Sequence, residues 1–508
     1  MEMTAGRVDG QPVPARSRPL ARLAADDRDV PLFVDLDGTL IRSNLLWESF
    51  AAALRANPLR AVQALLSLLW GRAALKRALA LVGPVDPAAL PYRRRFVHWL
   101  KGQHQQGRRL VLATAADQPL AESVAMHLGL FEAVLASDGT HNNKGRSKLD
   151  GILAYAGGRP FDYCGDSLGD LPIFERARRA ILVGAGHAVL KASEALPQIE
   201  LRFASRRLRY GLYNWLAAIR PFHWLKNLLV LVPIFTAFLV TDQAALVKTL
   251  LAVIAMCLAA SAGYLVNDLL DMQVDRRHPR KRRRPFAAGR LTAAEGFGGA
   301  ALLLVLALAL CLMINVAVFG WVVLYLLGTF AYSVFFKREP IADVFVLAGL
   351  HTIRIIVGAE AVDAPVSFWL LAFSVFFFFG LAIMKRCGEL VLKRERDEET
   401  GSGRSYSVAD LAVMQPLGIA SGIAAVLVLA LYVQSPYVAD RYPMPELLWL
   451  ALVALLVWLS RAWLDTGRGL MHDDPLIYAM RNPAGRLLLL AVAASFGLAS
   501  LWGLTVAI

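Results

Sequence analysis

From Lys226 onward the chain is a succession of long apolar runs joined by short polar loops, whereas before Arg220 short apolar runs alternate with amphipathic stretches. Nine long runs stand out, at roughly 226–241, 246–266, 292–314, 316–335, 341–358, 367–384, 409–433, 445–464 and 486–506. A helix of about 20 apolar residues crosses a bilayer core. The second half therefore predicts an all-α polytopic membrane domain of about nine transmembrane helices over 226–508. In the first half, Leu32–Val34, Leu110–Ala113 and Phe161–Cys164 read as short strands that each deliver polar residues at their carboxyl ends. Helical stretches between them predict an α/β domain with a parallel sheet over 31–190. Trp47, Phe50, Leu54, Leu65, Leu68, Leu69, Trp70 and Leu79 recur at helical spacing and mark a small helical cap over about 43–106. Trp70 and Trp99 are expected to pack inside it, because amphipathic helices bury such residues.

The flanks differ from both halves. Residues 1–30 are rich in Pro, Arg and Ala and lack the apolar core of a signal peptide, which predicts a disordered tail. Residues 191–225 mix Arg202, Arg206, Arg207, Arg209 and Arg220 with Tyr210, Tyr213, Trp215 and Trp224. That mixture suits an interfacial linker lying among lipid headgroups.

Charge sharpens the picture. The net charge of +14 does not point to nucleic acid, because the cations cluster between apolar runs and no aromatic-basic motif accompanies them. With the amino end inside, Arg276–Arg290, Lys337-Arg338, Lys385–Arg404 and Arg461–Arg486 share one face. The opposite loops hold Asp242, Glu360, Asp363, Asp440 and Glu446 with hardly a cation. This positive-inside pattern predicts an integral protein of the inner membrane, with the amino terminus and all polar motifs cytoplasmic and the carboxyl terminus opposite. The four cysteines show no paired spacing, which excludes a disulfide framework or zinc site and fits a reducing face.

Four polar stations occupy the soluble half. Asp35-Leu36-Asp37-Gly38-Thr39 follows the first strand and Thr114 ends the second. Lys144 and Lys148 lie in the next loop, and Gly165-Asp166-Ser167-Leu168-Gly169-Asp170 closes the set. Parallel sheets bind ligands beyond the carboxyl ends of their strands. There one carboxylate can attack phosphorus, while a neighbouring acid protonates the leaving oxygen and then activates water. A divalent cation, a lysine and a hydroxyl hold the phosphate oxygens. Each motif alone is weak, since Asp-x-Asp-Gly is usually a turn. In order, the four resemble the haloacid-dehalogenase-like (HAD-like) phosphatases over residues 31–190. That resemblance implies a Rossmannoid α/β fold with a cap, Asp35 as nucleophile and Asp37 as acid/base. Thr114 would bind phosphate and Lys148 would steady nucleophile and phosphate, preferred to Lys144 because a helix-like stretch follows it. Mg²⁺ would be placed by Asp35, Asp37, Asp166 and Asp170. A degenerate regulatory domain is the competing reading.

In the membrane half, Asn267-Asp268-Leu269-Leu270-Asp271-Met272-Gln273-Val274-Asp275 ends an apolar run, with Arg280 to Arg284 close behind. Steps of three and four residues place Asp268, Asp271 and Asp275 on one face of a helix. Aligned carboxylates repel unless a cation lies between them, and oxygen ligands with an open shell suit Mg²⁺ carrying a phosphorylated substrate. Other loops hold Tyr332, Lys337, Arg338, Asp343, Lys385, Arg386, Glu389, Arg404-Ser405-Tyr406-Ser407 and Asp473-Asp474-Pro475. Arg354, inside a span, either pairs with Asp343 or binds an anion. With Arg220-Pro221-Phe222-His223-Trp224-Leu225-Lys226-Asn227 and Arg284-Pro285-Phe286, these motifs resemble the UbiA superfamily of intramembrane prenyltransferases. Aromatic-acceptor members usually carry a second paired-aspartate motif, but here Leu347 stands where the partner of Asp343 belongs. Ile353-Arg354 with Gly358, Lys385-Arg386-x-x-Glu389-Leu390 and Arg404-Ser405-Tyr406-Ser407 look more like the decaprenyl-phosphate phosphoribosyltransferase branch. That branch transfers phosphoribose from phosphoribosyl pyrophosphate to a polyprenyl phosphate. The resemblance implies Mg²⁺ on Asn267, Asp268, Asp271 and Asp275. It implies phosphate contacts from Lys281, Arg284, Tyr332, Lys337, Arg338, Arg354, Lys385 and Arg386.

The two halves together suggest a bifunctional enzyme that makes a lipid-linked ribose 5-phosphate and then removes the 5-phosphate. Three other readings stay open: a prenyltransferase with an aromatic acceptor, a transporter with a regulatory HAD-like domain, and a soluble half that only docks another enzyme. A homo-oligomer is also left open.

Overall fold

A computed structural model describes residues 28–203, 211–395, 406–471 and 474–505. It divides into two compact units. The expected tail lies almost wholly outside the described residues, as do Arg206, Arg207, Arg209 and Tyr210 of the linker and Arg404-Ser405 and Asp473 of the loops.

The first unit is built on six parallel strands: β1 (Leu32–Val34), β2 (Leu110–Asp117), β3 (Ala133–Ser137), β4 (Asp162–Gly165), β5 (Arg179–Val183) and β6 (Ile199–Phe203). Their order is β3-β2-β1-β4-β5-β6. The chain thus starts in the middle of the sheet and reverses direction between β1 and β4, the switch point at which such sheets open a crevice. Phe33, in register with Val111 and Tyr163, sits where both faces are covered. Two apolar clusters sandwich the sheet, one around Leu32, Val34, Leu112 and Cys164, the other around Phe33, Val111, Tyr163 and Phe174. The strands β5 and β6 carry the sheet to Phe203, past the boundary at 190 expected from the sequence.

The cap consists of α1 (Leu45–Ala56), α2 (Pro58–Leu65) and α3 (Arg72–Val82), followed by the helix Arg94–Gln105 that leads into β2. Asn44 caps α1 by accepting from the Leu46 amide at 3.0 Å, and Asn57 caps α2 ahead of Pro58. Small residues fill the cap core: Ala53, Ala61 and Ala64 pack with Leu75 and Leu79. Trp99 does pack, though against the sheet and not inside the cap: it is stacked on Phe96 at 5.8 Å and packed on Phe203 of β6 at 5.6 Å. Trp70 does not. It ends a 3-10 turn just before Gly71, whose φ is +106°, and is 76% exposed. The unit also takes in Gln273–Arg283 and Ala287–Ala293, where Arg276 donates to Glu48 of α1 at 2.6 and 3.0 Å.

The second unit is helical. Among the described residues, eight helices are long and apolar enough to cross a membrane: Gln243–Leu270, Ala293–Ile314, Val316–Val334, Ala342–Ala361, Phe368–Arg394, Val408–Val433, Pro445–Gly467 and Pro483–Ser500. The first expected run is the exception. Residues Pro221–Leu231 form a 3-10 helix that leads into the five-residue helix Val232–Thr236. Pro221 and Pro233 each open one of these pieces, and neither can donate the backbone bond that would fuse them into a longer α-helix. At about 2 Å per residue for the 3-10 part and about 1.5 Å for the rest, the stretch still reaches about 30 Å. Its backbone runs close to Ala342–Ala361: a Cβ on Gly358 would sit 2.1 Å from the Val230 carbonyl, so only glycine fits.

Candidate active sites

In the first unit, the carboxyl ends of β1, β2 and β4 bring the four stations together. Asp35 follows β1 directly and is 5% exposed, with its amide held by the Cys164 carbonyl of β4. Lys148, from the first turn of the helix Arg146–Ala156, donates to Asp35 at 2.8 Å, to the Tyr163 hydroxyl at 3.0 Å and to Asp170 at 3.2 Å. Of the two candidate lysines, it is therefore Lys148 whose ammonium meets Asp35. Asp170 is fixed further by the Ser167 amide and hydroxyl and by the Tyr163 hydroxyl. Gly38 has φ +82°, and a Cβ there would lie 2.0 Å from an Asp166 oxygen. That glycine lets Asp166 reach the site, where it also accepts from Thr39 at 3.3 Å. Thr114 is fully buried and lies within β2, which runs on to Asp117 instead of ending at the threonine as its sequence suggests.

Asp35, Asp166 and Asp170 place carboxylate oxygens within 4.8 Å of one another. Two buried acids and one half-buried acid at that spacing fit a hard divalent cation. Asp37 is not in the group; its carboxylate accepts from the Leu45 amide at 2.8 Å. Burial pushes Asp35 up to about 6, against the pull of Lys148, and pushes Asp37 up to about 7. Burial and the neighbouring Asp35 and Asp170 lift Asp166 well above the carboxylate range. Asp170 goes the other way: burial opposes its charge, but Lys148 and the Ser167 donors hold it below its ordinary value. The same acids outweigh burial at Lys148 and raise it. Two neighbouring carboxyls thus differ in environment, one set against a lysine and the other desolvated near neutrality. That division is what an acid/base pair needs.

Three residues join this site without a local sequence signal. Lys76 of α3 donates to the Ala115 carbonyl and, at 2.7 Å, to Asn142. Arg93 grips the Gly38 carbonyl at 2.8 and 3.0 Å. Asn143 ties the Thr114 and Leu135 carbonyls together at 3.1 and 3.0 Å. Each contact spans strands or the cap, so neighbouring residues do not announce it.

In the second unit, the helix Gln243–Leu270 ends at the acidic stretch and a new helix, Met272–Arg277, begins after Asp271. The predicted face is therefore broken. Asn267 is half-buried and Asp268 buried in the last turn, Asp271 occupies the cap, and buried Asp275 belongs to the first unit. Asp268 accepts from Arg220 at 2.5 Å and from Arg284 at 3.1 Å, and Asp271 accepts from Lys337 at 2.5 Å. Arg284 and Lys337 are thus brought to the acids, whereas Lys281 and Arg338 are exposed. Arg220, read from the sequence as a headgroup contact, is instead the closest cation to Asp268.

Arg354 does not pair with Asp343. It donates to Asn227 at 2.9 Å and to the Tyr325 hydroxyl at 3.0 Å, with its guanidinium 4.7 Å from the Tyr325 ring. Asp343 belongs to Arg386 at 2.7 Å and Tyr406 at 2.5 Å. Arg386 also reaches Glu389 at 3.2 Å and Tyr332 at 2.9 Å. The reason is register: the side chains of Asp343 and Arg354 are eleven residues apart on one helix, about 16 Å along its axis. Lys385 and Lys226 converge on Asp474 at 3.2 and 2.5 Å, a pairing that the sequence leaves hidden across 248 residues.

The fold and sites define a polytopic membrane protein carrying a parallel α/β domain of phosphohydrolase type. Residues 230–471 match the UbiA prenyltransferase family, and residues 32–175 match the haloacid dehalogenase-like hydrolases. The protein y4nM of Sinorhizobium fredii is 36% identical over 476 residues, covering 93% of this chain and 92% of that one. Nodulation protein NoeC of Azorhizobium caulinodans is 36% identical over 279 residues, 54% of this chain and 90% of the relative. Decaprenyl-phosphate phosphoribosyltransferase of Mycobacterium tuberculosis is 32% identical over 297 residues, 56% of this chain and 94% of the relative. The chain belongs to the UbiA prenyltransferase family, with a haloacid dehalogenase-like domain at its amino end.

Proposed function

We propose that the membrane domain transfers 5-phosphoribose from phosphoribosyl pyrophosphate to a polyprenyl phosphate, and that the HAD-like domain removes the 5-phosphate from the lipid-linked product. The observation that carries this reading is the assembled Asp35–Lys148–Asp170 constellation on a chain whose other half resembles a phosphoribosyltransferase end to end. A phosphoribosyl lipid is a phosphate ester, so the second site has a substrate as soon as the first turns over.

In the membrane site, the lipid phosphate attacks C1 of the ribose and pyrophosphate departs, so negative charge grows on the leaving group. Mg²⁺, when bound, offsets that charge. Asn267, Asp268, Asp271 and Asp275 offer the oxygen ligands that suit it. Arg220, Arg284 and Lys337, now on Asp268 and Asp271, would exchange those carboxylates for phosphate oxygens. Arg354 and Lys385 stand on neighbouring helices to hold the remaining phosphates, with Lys281, Arg338, Tyr332 and Arg386 completing the basic face. In the HAD-like site Asp35 attacks the 5-phosphate and Asp37 gives its proton to the ribose oxygen, then takes one from water. Lys148 and Thr114 hold the phosphoryl oxygens, and Asp35, Asp166 and Asp170 would hold Mg²⁺. The cation-rich loops support a cytoplasmic face for both sites and the amino terminus.

The test is mass spectrometry of lipids made by the purified protein from phosphoribosyl pyrophosphate, a polyprenyl phosphate and Mg²⁺. Asp35→Asn should accumulate the 5-phosphorylated lipid, and Asp271→Ala should make neither product while inserting normally. A wild-type protein that forms the phosphorylated lipid and leaves it intact would break the second half of the proposal. A prenyl pyrophosphate serving as donor would break the first.

A further inference from the structure

We propose that the outer face of the cap is a membrane-docking surface that seats in anionic lipid headgroups. The helix α2 and the turn after it are built with their large side chains outward. Ala61 and Ala64 face the cap core, while Leu59 (78% exposed), Val62 (58%), Leu66 (62%), Leu69 (82%) and Trp70 (76%) face away. An isolated soluble cap would carry polar residues there. The charge around the patch is one-sided. Between Glu48 and Asp86 there is no acid, whereas Arg55, Arg60, Arg72, Lys76 and Arg77 fall in that interval. Arg60 and Arg72 are exposed at the two ends of the apolar stretch. Apolar residues with a tryptophan among them, rimmed by arginines, match the interfacial zone of a bilayer containing anionic lipid. The same pattern disfavours a second copy, since two such faces would oppose like charges.

The occupant is at hand. Among the described residues, eight helices are long and apolar enough to cross a membrane, so the chain that carries the cap also carries its own tether to lipid. The cap also supplies Lys76 to the phosphatase site through α3, the helix that packs on α2. Docking through α2 therefore presents that site to a phosphate carried by a lipid. This last consequence rests on the proposed function; the docking itself does not.

Full-length protein in nanodiscs tests it. All four native cysteines are buried, so Leu69→Cys gives a single site for a bimane label. Discs with about 30% anionic lipid and a headgroup-proximal spin-labelled lipid should quench that label, by about threefold more than a label at Met126→Cys, which is 83% exposed on another helix. Equal quenching at the two positions, or none at Leu69→Cys, overturns the docking surface. Shielding of the label that appears only at two copies per disc, without lipid quenching, assigns the face to a second copy and also overturns it. The pair Leu69→Glu and Trp70→Glu should leave hydrolysis of a soluble phosphate ester within about twofold and slow turnover of the lipid-linked phosphate about tenfold. Quenching with lipid turnover unchanged keeps the docking surface and overturns its catalytic consequence.

Discussion

Replacing Lys148 with methionine keeps the length of the side chain and removes the one ammonium shared by Asp35 and Asp170. At 2.8 Å and an effective dielectric of about 20, Asp35 and Lys148 attract by about 6 kcal/mol, the equivalent of about 4 pK units. Relaxation and the Tyr163 hydroxyl recover part of this. Even half of it, about 2 units, lifts Asp35 from about 6 to about 8. The ionised fraction at pH 7 then falls from about nine tenths to about one tenth. Loss of one phosphate-oxygen donor costs a further factor of about 10². Lys148→Met should therefore hydrolyse a soluble phosphate ester about 10³-fold more slowly at pH 7, and the rising limb of its pH–rate profile should move to higher pH. Lys148→Arg should restore the position of that limb but not the full rate. The assay is steady-state hydrolysis by the full chain in detergent, with thermal unfolding as a control. A variant within threefold of wild type at pH 7, or one with an unmoved rising limb, would refute the assignment of Lys148 to Asp35.

Three further outcomes follow from the same structure. Phosphatase activity needs Asp35 ionised and Asp37 protonated, so the rate should rise through about pH 6 and fall through about pH 7; Asp37→Asn with an ester whose leaving group needs no proton should lose the falling limb. Asp37 binds a proton in the fold up to about 7 but only to about 3.8 when unfolded, so it should draw stability down as pH rises through that window, measurable by thermal unfolding of wild type against Asp37→Asn. In the membrane unit, Asp343→Asn should destabilise the protein by up to about 3 kcal/mol, because it leaves the buried Arg386 guanidinium with the partly exposed Glu389 as its counter-charge, and adding Arg386→Met should recover much of that loss in a detergent unfolding assay. A double variant no more stable than the single one would show that the pair is not the reason for the burial.

Most of the HAD-like site was legible because its residues lie at strand ends, where chain order and space coincide. Asp35, Thr114 and Asp166 each follow an apolar run that can only be a buried strand, and a parallel sheet places such ends side by side. Lys76 and Arg93 escaped notice because they arrive from the cap and from the helix behind it, across 39 and 55 residues. The membrane half read differently. Hydropathy marks spans well, but it does not separate a straight helix from a 3-10 stretch interrupted by proline, which is what Pro221–Thr236 became. Trp70 misled for a related reason. Helical periodicity says which residues share a face, and the cap filled its interior with alanines while the larger residues stayed outside. The Asp343–Arg354 pairing failed on distance along one helix, a quantity the sequence does contain, while the true partner came from the next helix.

Both sites follow one electrostatic rule. Five of the carboxylates proposed to meet a metal already share their site with a cation or a hydroxyl: Lys148 on Asp35 and Asp170, Thr39 on Asp166, Arg220 and Arg284 on Asp268, Lys337 on Asp271. An unpaired buried carboxylate costs several kcal/mol, so a resting site without such partners would lose its acids to protonation or fold poorly. With a divalent ion bound, the acids would hold the metal, and the cations now on them (Lys148, Arg220, Arg284 and Lys337) would be available to phosphate oxygens, so no charge would be left alone. A metal without phosphate strands the cations, and a phosphate without metal strands the acids. On the proposed function, each half of the chain would thereby favour the metal–phosphate pair over either component, a requirement that the two proposed reactions share.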